Sequence, residues 1–155
     1  MKLSENSYYK ELHQKVMQFD YTIISLVDEE PKVNHASYCY TIGLSNYNHP
    51  ELLFIDCYYD DVITAVEHIL ANIKLKQSTL PGDTIFLKET NKQIKAIKLK
   101  DGAKEELTKQ ATYYFELYRQ KNQEYELLYI SQQDECGYDN KKKKKQPKKK
   151  IKKQN

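Results

Sequence analysis

A lysine-rich C-terminal run limits how much of this chain can fold around a core. Ten of the 25 Lys and Arg residues lie between Lys141 and Lys153, and from Asn140 onward there is no apolar pattern beyond Ile151. Like charges repel, and such a segment buries too little apolar surface to offset the entropy of ordering. We therefore predict a disordered basic tail over residues 140–155 and a single domain over residues 1–139.

The two parts of the chain carry opposite charge. All 22 Asp and Glu residues precede residue 140, together with 15 Lys and Arg residues, so the body carries −7 and the tail +10. We expect the acidic body to repel a phosphate backbone. The tail, Lys141–Lys153, is typical of a nuclear localisation signal or an arm that binds nucleic acid or another polyanion. A solubilising tail that folds back on the acidic body is an equal alternative.

The sequence gives no indication of export or of a membrane span. The N-terminus lacks an apolar stretch, and the longest apolar runs have four or five residues, far short of the ~20 needed to cross a bilayer. The cysteines Cys39, Cys57 and Cys136 form an odd set without a CxxC pair, which favours reduced thiols. We expect an intracellular protein that is cytoplasmic, or nuclear in a eukaryotic cell, and that has no membrane partner.

Three segments place apolar side chains at the spacing of an amphipathic helix. Their stripes are Tyr8, Leu12, Val16 and Phe19; Val62, Val66, Ile69 and Ile73; and Leu107, Ala111, Tyr114 and Tyr118. The first stripe predicts a helix over residues 4–19. We expect Asp60 or Asp61 to cap the second helix and Asp101 the third, because a carboxylate accepts the free N–H groups of a helix start.

Six segments rich in β-branched and aromatic residues predict strands. They cover residues 21–27, 38–44, 52–57, 84–88, 93–100 and 125–131. About seven residues join the second and third strands, too few for a parallel crossover, so these two strands should pair antiparallel. The order α-β-β-β-α-β-β-α-β predicts an α+β fold with one mostly antiparallel sheet and about three helices.

The predicted second strand has two unlike faces. Tyr38, Tyr40, Ile42 and Leu44 point one way, and the small residues Cys39, Thr41 and Gly43 point the other way. Small side chains allow a packed helix or a ligand to approach the sheet closely. A packed helix is the more frequent reason, since sheets must be covered.

The same strand carries a family resemblance. The residues Tyr38-Cys39-Tyr40-Thr41-Ile42-Gly43-Leu44, followed by His49-Pro50-Glu51-Leu52, resemble the hallmark of the domain-of-unknown-function family numbered 4262. Residues 18–138 resemble its layout. The chain departs from the family pattern at Asp56-Cys57, Tyr129 and Gln132-Gln133. The resemblance implies a small intracellular domain without an assigned reaction.

Two polar side chains within this motif are candidates for catalysis. His49 and Glu51 could form a general acid–base pair, or the imidazole could simply cap a loop carbonyl while Pro50 fixes the entry of the next strand. The predicted binding residues are Tyr40, Thr41, Gly43, His49 and Glu51, together with Asp134, which could instead belong to a turn.

Metal and cofactor motifs are not recognisable. The best metal candidates, His35, Cys39, His49 and Cys57, share no standard zinc spacing, so we predict no metal, and no phosphate loop or dinucleotide fingerprint indicates a cofactor. The leading hypothesis is a binding or accessory module. The alternatives are a small hydrolase- or transferase-like enzyme that uses His49 and Glu51, and a domain tethered to nucleic acid by its lysine-rich tail.

Overall fold

The structure, a computed structural model, describes residues 3–118 and 124–133. In these residues the helices are α1 (Leu3–Phe19), α2 (Tyr59–Lys74), α3 (Ala103–Leu107) and α4 (Lys109–Tyr118), and the strands are β1 (Thr22–Leu26), β2 (His35–Ile42), β3 (Glu51–Tyr58), β4 (Thr84–Leu87), β5 (Lys92–Lys98) and β6 (Leu127–Gln133). The predicted tail and Asp134 lie outside the described residues. No helix in the described ranges is long and apolar enough to cross a membrane.

The strands form one sheet in the order β1-β2-β3-β6-β5-β4. Every neighbouring pair is antiparallel except β3 and β6, which run parallel. The predicted antiparallel pairing of β2 with β3 is confirmed, and so is the α+β fold. Parallel pairing of β3 with β6 is possible because the chain between them is long and passes through α2, the β4–β5 hairpin, α3 and α4.

Helices cover the sheet from both sides. On one face α2 packs its buried stripe, Val62, Val66, Ile69 and Ile73, against β2, β3, β5 and β6. On the other face α1 and α4 lie over β1, β2 and β3, where Tyr40, Ile42 and Leu53 belong to one buried cluster with residues of both helices. The small-residue face of β2 is therefore the face that α2 covers, as the more frequent interpretation predicted.

The predicted stripe of α1 is wrong at two positions. Leu12 and Val16 are buried, but Tyr8 and Phe19 are exposed, and Tyr9 packs in the core instead of Tyr8. Tyr9, Leu12 and Val16 follow the spacing i, i+3 and i+7, which also fits a 3.6-residue period. Because tyrosine occupies both position 8 and position 9, the pattern alone leaves the rotation of the helix open.

The predicted aspartate caps are also wrong. Tyr58 precedes α2 and its side chain makes no capping hydrogen bond, while Asp60 and Asp61 lie inside the first turn. Gly102, in a left-handed conformation, precedes α3 in place of Asp101. The single predicted third helix is two helices, because its continuity ends at Thr108, whose hydroxyl donates to the Lys104 carbonyl oxygen.

Candidate functional site

The carboxylate of Glu51 lies at the centre of the predicted motif. The residue has no exposed surface, and both carboxylate oxygens accept hydrogen bonds from the protein. Oε1 accepts from the Thr41 hydroxyl at 2.8 Å and the Leu44 N–H at 3.1 Å, and Oε2 accepts from the Gly43 N–H at 2.9 Å and from the Ser45 N–H and hydroxyl at 3.0 and 2.6 Å. All five partners are donors, so the group is held as a carboxylate.

The backbone that surrounds Glu51 departs from the predicted strand. β2 ends at Ile42, Gly43 adopts a φ of 136°, and Leu44–Tyr47 form a short 3-10 turn. Three successive N–H groups, from Gly43, Leu44 and Ser45, thereby point at one anion, which is the arrangement of a backbone nest. We call these three residues the carboxylate-binding turn. Since Leu44 belongs to this turn, its side chain packs on the α2 side of the sheet, and its predicted place beside Tyr40 and Ile42 is wrong.

Thr41 connects this turn to the next strand. Its hydroxyl donates to Glu51 and accepts the N–H of Leu52 at 2.9 Å, so both hydrogen-bonding roles are used inside the protein. The residue is fully buried. Thr41, Gly43 and Glu51, which the sequence placed together as candidate ligand-binding residues, do lie in contact, and their contacts are with one another.

His49 is almost wholly buried, and both of its ring nitrogens have protein partners. Nε2 lies 3.0 Å from the backbone nitrogen of Thr79, and Nδ1 lies 2.8 Å from the carbonyl oxygen of Pro50. Because the Thr79 N–H can only donate, Nε2 is the acceptor and Nδ1 carries the proton. The neutral imidazole therefore joins the start of β3 to the loop between α2 and β4.

Burial lowers the pKa of His49 below its ordinary value of 6.5, against the opposing effects of the Pro50 carbonyl and the Glu51 carboxylate. The folded state thus prefers the neutral ring. Its contribution to the free energy of unfolding is complete above about pH 6.5 and decreases as the pH falls from there to the folded-state pKa.

We expect His49→Gln, which cannot titrate, to remove part of the loss of stability that the wild type shows as the pH falls below about 6.5. His49→Ala should cost about 1–3 kcal/mol at neutral pH, because it leaves the buried Thr79 N–H unpaired. Chemical denaturation at a series of pH values measures both effects. A pH dependence of stability that is identical in His49→Gln and the wild type would contradict this interpretation.

A cleft of about 750 Å³ opens beside His49. Four segments line it: Asn48 and Pro50 before β3, residues 78–81 in the loop after α2, residues 98–102 with 104 and 105, and residues 126–128 at the start of β6. The first two segments are the ones that His49 joins. The volume of the cleft lies within the range of small-molecule sites in proteins.

The lining of the cleft combines apolar side chains with charges of both signs. The apolar residues are Pro50, Leu80, Pro81, Leu99, Leu127 and Leu128, and the charged residues are Lys98, Lys100, Lys104, Asp101, Glu105 and Glu126. Lys104 is held in place, since its ammonium donates to the Tyr125 carbonyl oxygen at 2.8 Å and lies over the Tyr125 ring. Lys98 and Lys100 are exposed to solvent.

The four candidate metal ligands do not come together as one set. Cys39 and Cys57 are buried with their sulfurs 3.4 Å apart, and the hydrogen bond between them, together with burial, raises the pKa of the Cys39 thiol. His35 instead pairs with Asp56 at 2.6 Å, and His49 pairs with Thr79. Among the described residues, no three His, Cys, Asp or Glu side chains are arranged to hold a metal ion.

Tyr40 lies apart from the other predicted binding residues, because its ring is in the core beneath α1 and α4. Burial raises the pKa of its hydroxyl. The residues that complete the cleft, such as Thr79, Lys98 and Glu126, carried no signal that sequence reasoning used, since they belong to segments that are distant in sequence.

Comparison of the chain with protein families, with curated proteins and with solved structures found no match.

Proposed function

We propose that this chain is a non-catalytic binding module whose ligand occupies the cleft beside His49. The observation that carries the proposal is the complete hydrogen bonding of the two candidate catalytic groups. Glu51 accepts five hydrogen bonds, and His49 uses both ring nitrogens, all within the protein. A general base must instead reach a proton of the substrate, so an enzyme that uses these two residues is the weaker hypothesis.

On this proposal the motif supplies rigidity. The carboxylate-binding turn fixes the end of β2 against the start of β3, and His49 fixes the start of β3 against the loop at Thr79. Both sets of contacts are buried, where hydrogen bonds hold side chains most firmly. The walls of the cleft are therefore preorganised, which lowers the entropic cost of binding a ligand.

The chemistry of the lining favours a short peptide as the ligand. Apolar residues can contact aliphatic side chains, while lysines and carboxylates together can pair with a ligand that carries both signs of charge. A ligand with one sign only would leave one set of lining charges without a partner. A peptide segment of a partner protein has the required apolar and zwitterionic character.

We expect NMR chemical-shift changes at Asn48, Thr79 and residues 98–102 when short peptides that contain Leu, Lys and Glu are added. Lys98→Glu should weaken binding of the best peptide about fivefold, because an exposed ion pair contributes up to about 1 kcal/mol. Lys10→Glu, an exposed change on α1, is the matched control and should leave binding unchanged.

The same titration can contradict the proposal. Chemical-shift changes confined to surfaces away from the cleft, or equal weakening by Lys98→Glu and Lys10→Glu, would exclude the cleft as the peptide site. Cleavage of the added peptides that is lost in His49→Gln would favour the enzyme hypothesis instead.

A further inference from the structure

The negative charge of the body is not spread evenly over the fold. Residues 84–100, which contain β4, the turn and β5, hold five lysines and a single acidic residue, Glu89. This hairpin therefore carries +4 within a body whose net charge is −7. The expectation that the body repels a phosphate backbone does not extend to this hairpin.

One half of the sheet presents a second surface. Along β4, β5 and β6, Leu87, Ile94, Ala96, Leu128 and Ile130 pack towards α2. The alternating residues therefore point to the opposite face, while α1 and α4 lie over the β1–β3 half of that face. We call this surface the outer sheet face and define it by Thr84, Phe86, Lys95, Ile97, Tyr129 and Ser131.

Two aromatic side chains and one lysine share the outer sheet face. Phe86 is 45% exposed and Ile97 is 37% exposed, although both are large hydrophobic residues, and Tyr129 is half-buried. Lys95 lies between them, opposite Ser131 on β6 and Thr84 on β4. From ordinary strand spacing and rise, Phe86 and Tyr129 are about 16 Å apart along a diagonal of the sheet.

We infer that the outer sheet face binds single-stranded nucleic acid, with bases stacked on Phe86 and Tyr129 and the phosphate backbone beside Lys95. Exposed aromatic rings combined with lysines are the features by which proteins bind single strands without reading their sequence. Three of the five hairpin lysines are engaged elsewhere, since Lys92 pairs with Asp61 of α2 at 2.9 Å and Lys98 and Lys100 line the cleft. An apolar protein partner would match Phe86 and Ile97, but it would leave the exposed ammonium of Lys95 without a counter-charge. An acidic single strand satisfies both observations.

The test measures the affinity of the full chain for labelled oligodeoxythymidine and oligouridine of about 12 nucleotides, at several salt concentrations. Phe86→Leu keeps an apolar side chain but removes the stacking ring, and we expect it to weaken binding of both strands about tenfold. Lys95→Gln should reduce the slope of log affinity against log salt by about 0.7, the loss of one phosphate contact.

A control variant and a control ligand distinguish binding at this site from binding by the tail and from loss of the fold. Phe19→Leu, which changes an exposed ring on α1, should leave affinity unchanged, and heparin, a polyanion without bases, should bind wild type and Phe86→Leu equally. Unchanged oligonucleotide affinity in Phe86→Leu, equal weakening by Phe19→Leu, or no binding of either strand would overturn the inference. Self-association that Phe86→Leu abolishes would also overturn it and assign the face to a second copy of the chain.

Discussion

Replacing Gly43 with alanine is expected to destabilise the folded protein strongly. A Cβ at this position would meet the backbone carbonyl oxygen of Asp20 and would lie 2.7 Å from the Cα of Tyr21. Neither atom belongs to a side chain that can rotate away. Since φ is 136°, a conformation that residues with a side chain rarely adopt, strain adds to the overlap. We expect a loss of about 3 kcal/mol or more in the free energy of unfolding.

Gly82→Ala is the matched control. Gly82 also has a positive φ, of 97°, but a Cβ there meets nothing within 4 Å. It should therefore report the conformational strain alone, about 1 kcal/mol. Urea denaturation of both variants measures the difference. If Gly43→Ala were no less stable than Gly82→Ala, close approach of the Asp20–Tyr21 backbone would not be the reason for glycine at position 43.

Glu51→Gln is expected to have the second large effect, although it changes the shape of the side chain very little. An amide offers one acceptor oxygen, and its NH₂ group would face N–H donors of the carboxylate-binding turn. At least one backbone N–H would then lose its partner in a site without solvent. Hydrogen bonds to a charged group contribute about 1.5–3 kcal/mol each, so we expect a loss of at least about 3 kcal/mol.

Glu116→Gln, an exposed change on α4, makes the same substitution without buried partners and should alter stability by less than about 0.5 kcal/mol. Thr41→Val should fall between the two variants, because it removes one of the five donors and leaves the Leu52 N–H unpaired. Equal stability of Glu51→Gln and wild type, measured by urea denaturation, would show that the charge of the Glu51 carboxylate does not stabilise the fold.

Periodicity and loop length were sufficient to predict the six strands and the first two helices of this fold. The apolar stripe of α2 and the short connection between β2 and β3 each express a local rule, and both predictions are confirmed. The predicted end of β2 failed because alternation of side chains does not report backbone φ. Gly43 continued the alternation in sequence, while its φ of 136° ends the strand. The caps failed since Tyr58 and Gly102 precede the helices without a side-chain hydrogen bond.

The candidate site was only partly accessible to sequence reasoning. Thr41 and Glu51 lie on neighbouring antiparallel strands, and Gly43 directly follows the first of them, so the three residues do come together. Their role in ligand binding stays a prediction. The cleft depends on Thr79 and on residues 98–105, which approach the motif only through the tertiary fold. No local pattern could connect segments so distant in sequence.

The resemblance to the family numbered 4262 stays a prediction, but the structure gives its motif a physical meaning. The Thr41 hydroxyl and the Gly43 N–H both donate to the Glu51 carboxylate, so the three residues hold one another in place. His49 and Pro50 fix the start of β3, since the imidazole donates to the Pro50 carbonyl oxygen and accepts from the Thr79 N–H. Each of these roles concerns the fold, and none needs a reaction.

The state of the His49 imidazole tests the central claim most directly, because a catalytic histidine needs a ring nitrogen that the substrate can reach. Nitrogen NMR of the full chain should show a neutral ring with its proton on Nδ1 and with Nε2 as an acceptor. This state should persist below pH 6.5, since burial lowers the pKa of His49. A proton on Nε2, or a ring that titrates at or above pH 6.5, would contradict the account and restore His49 as a candidate acid or base.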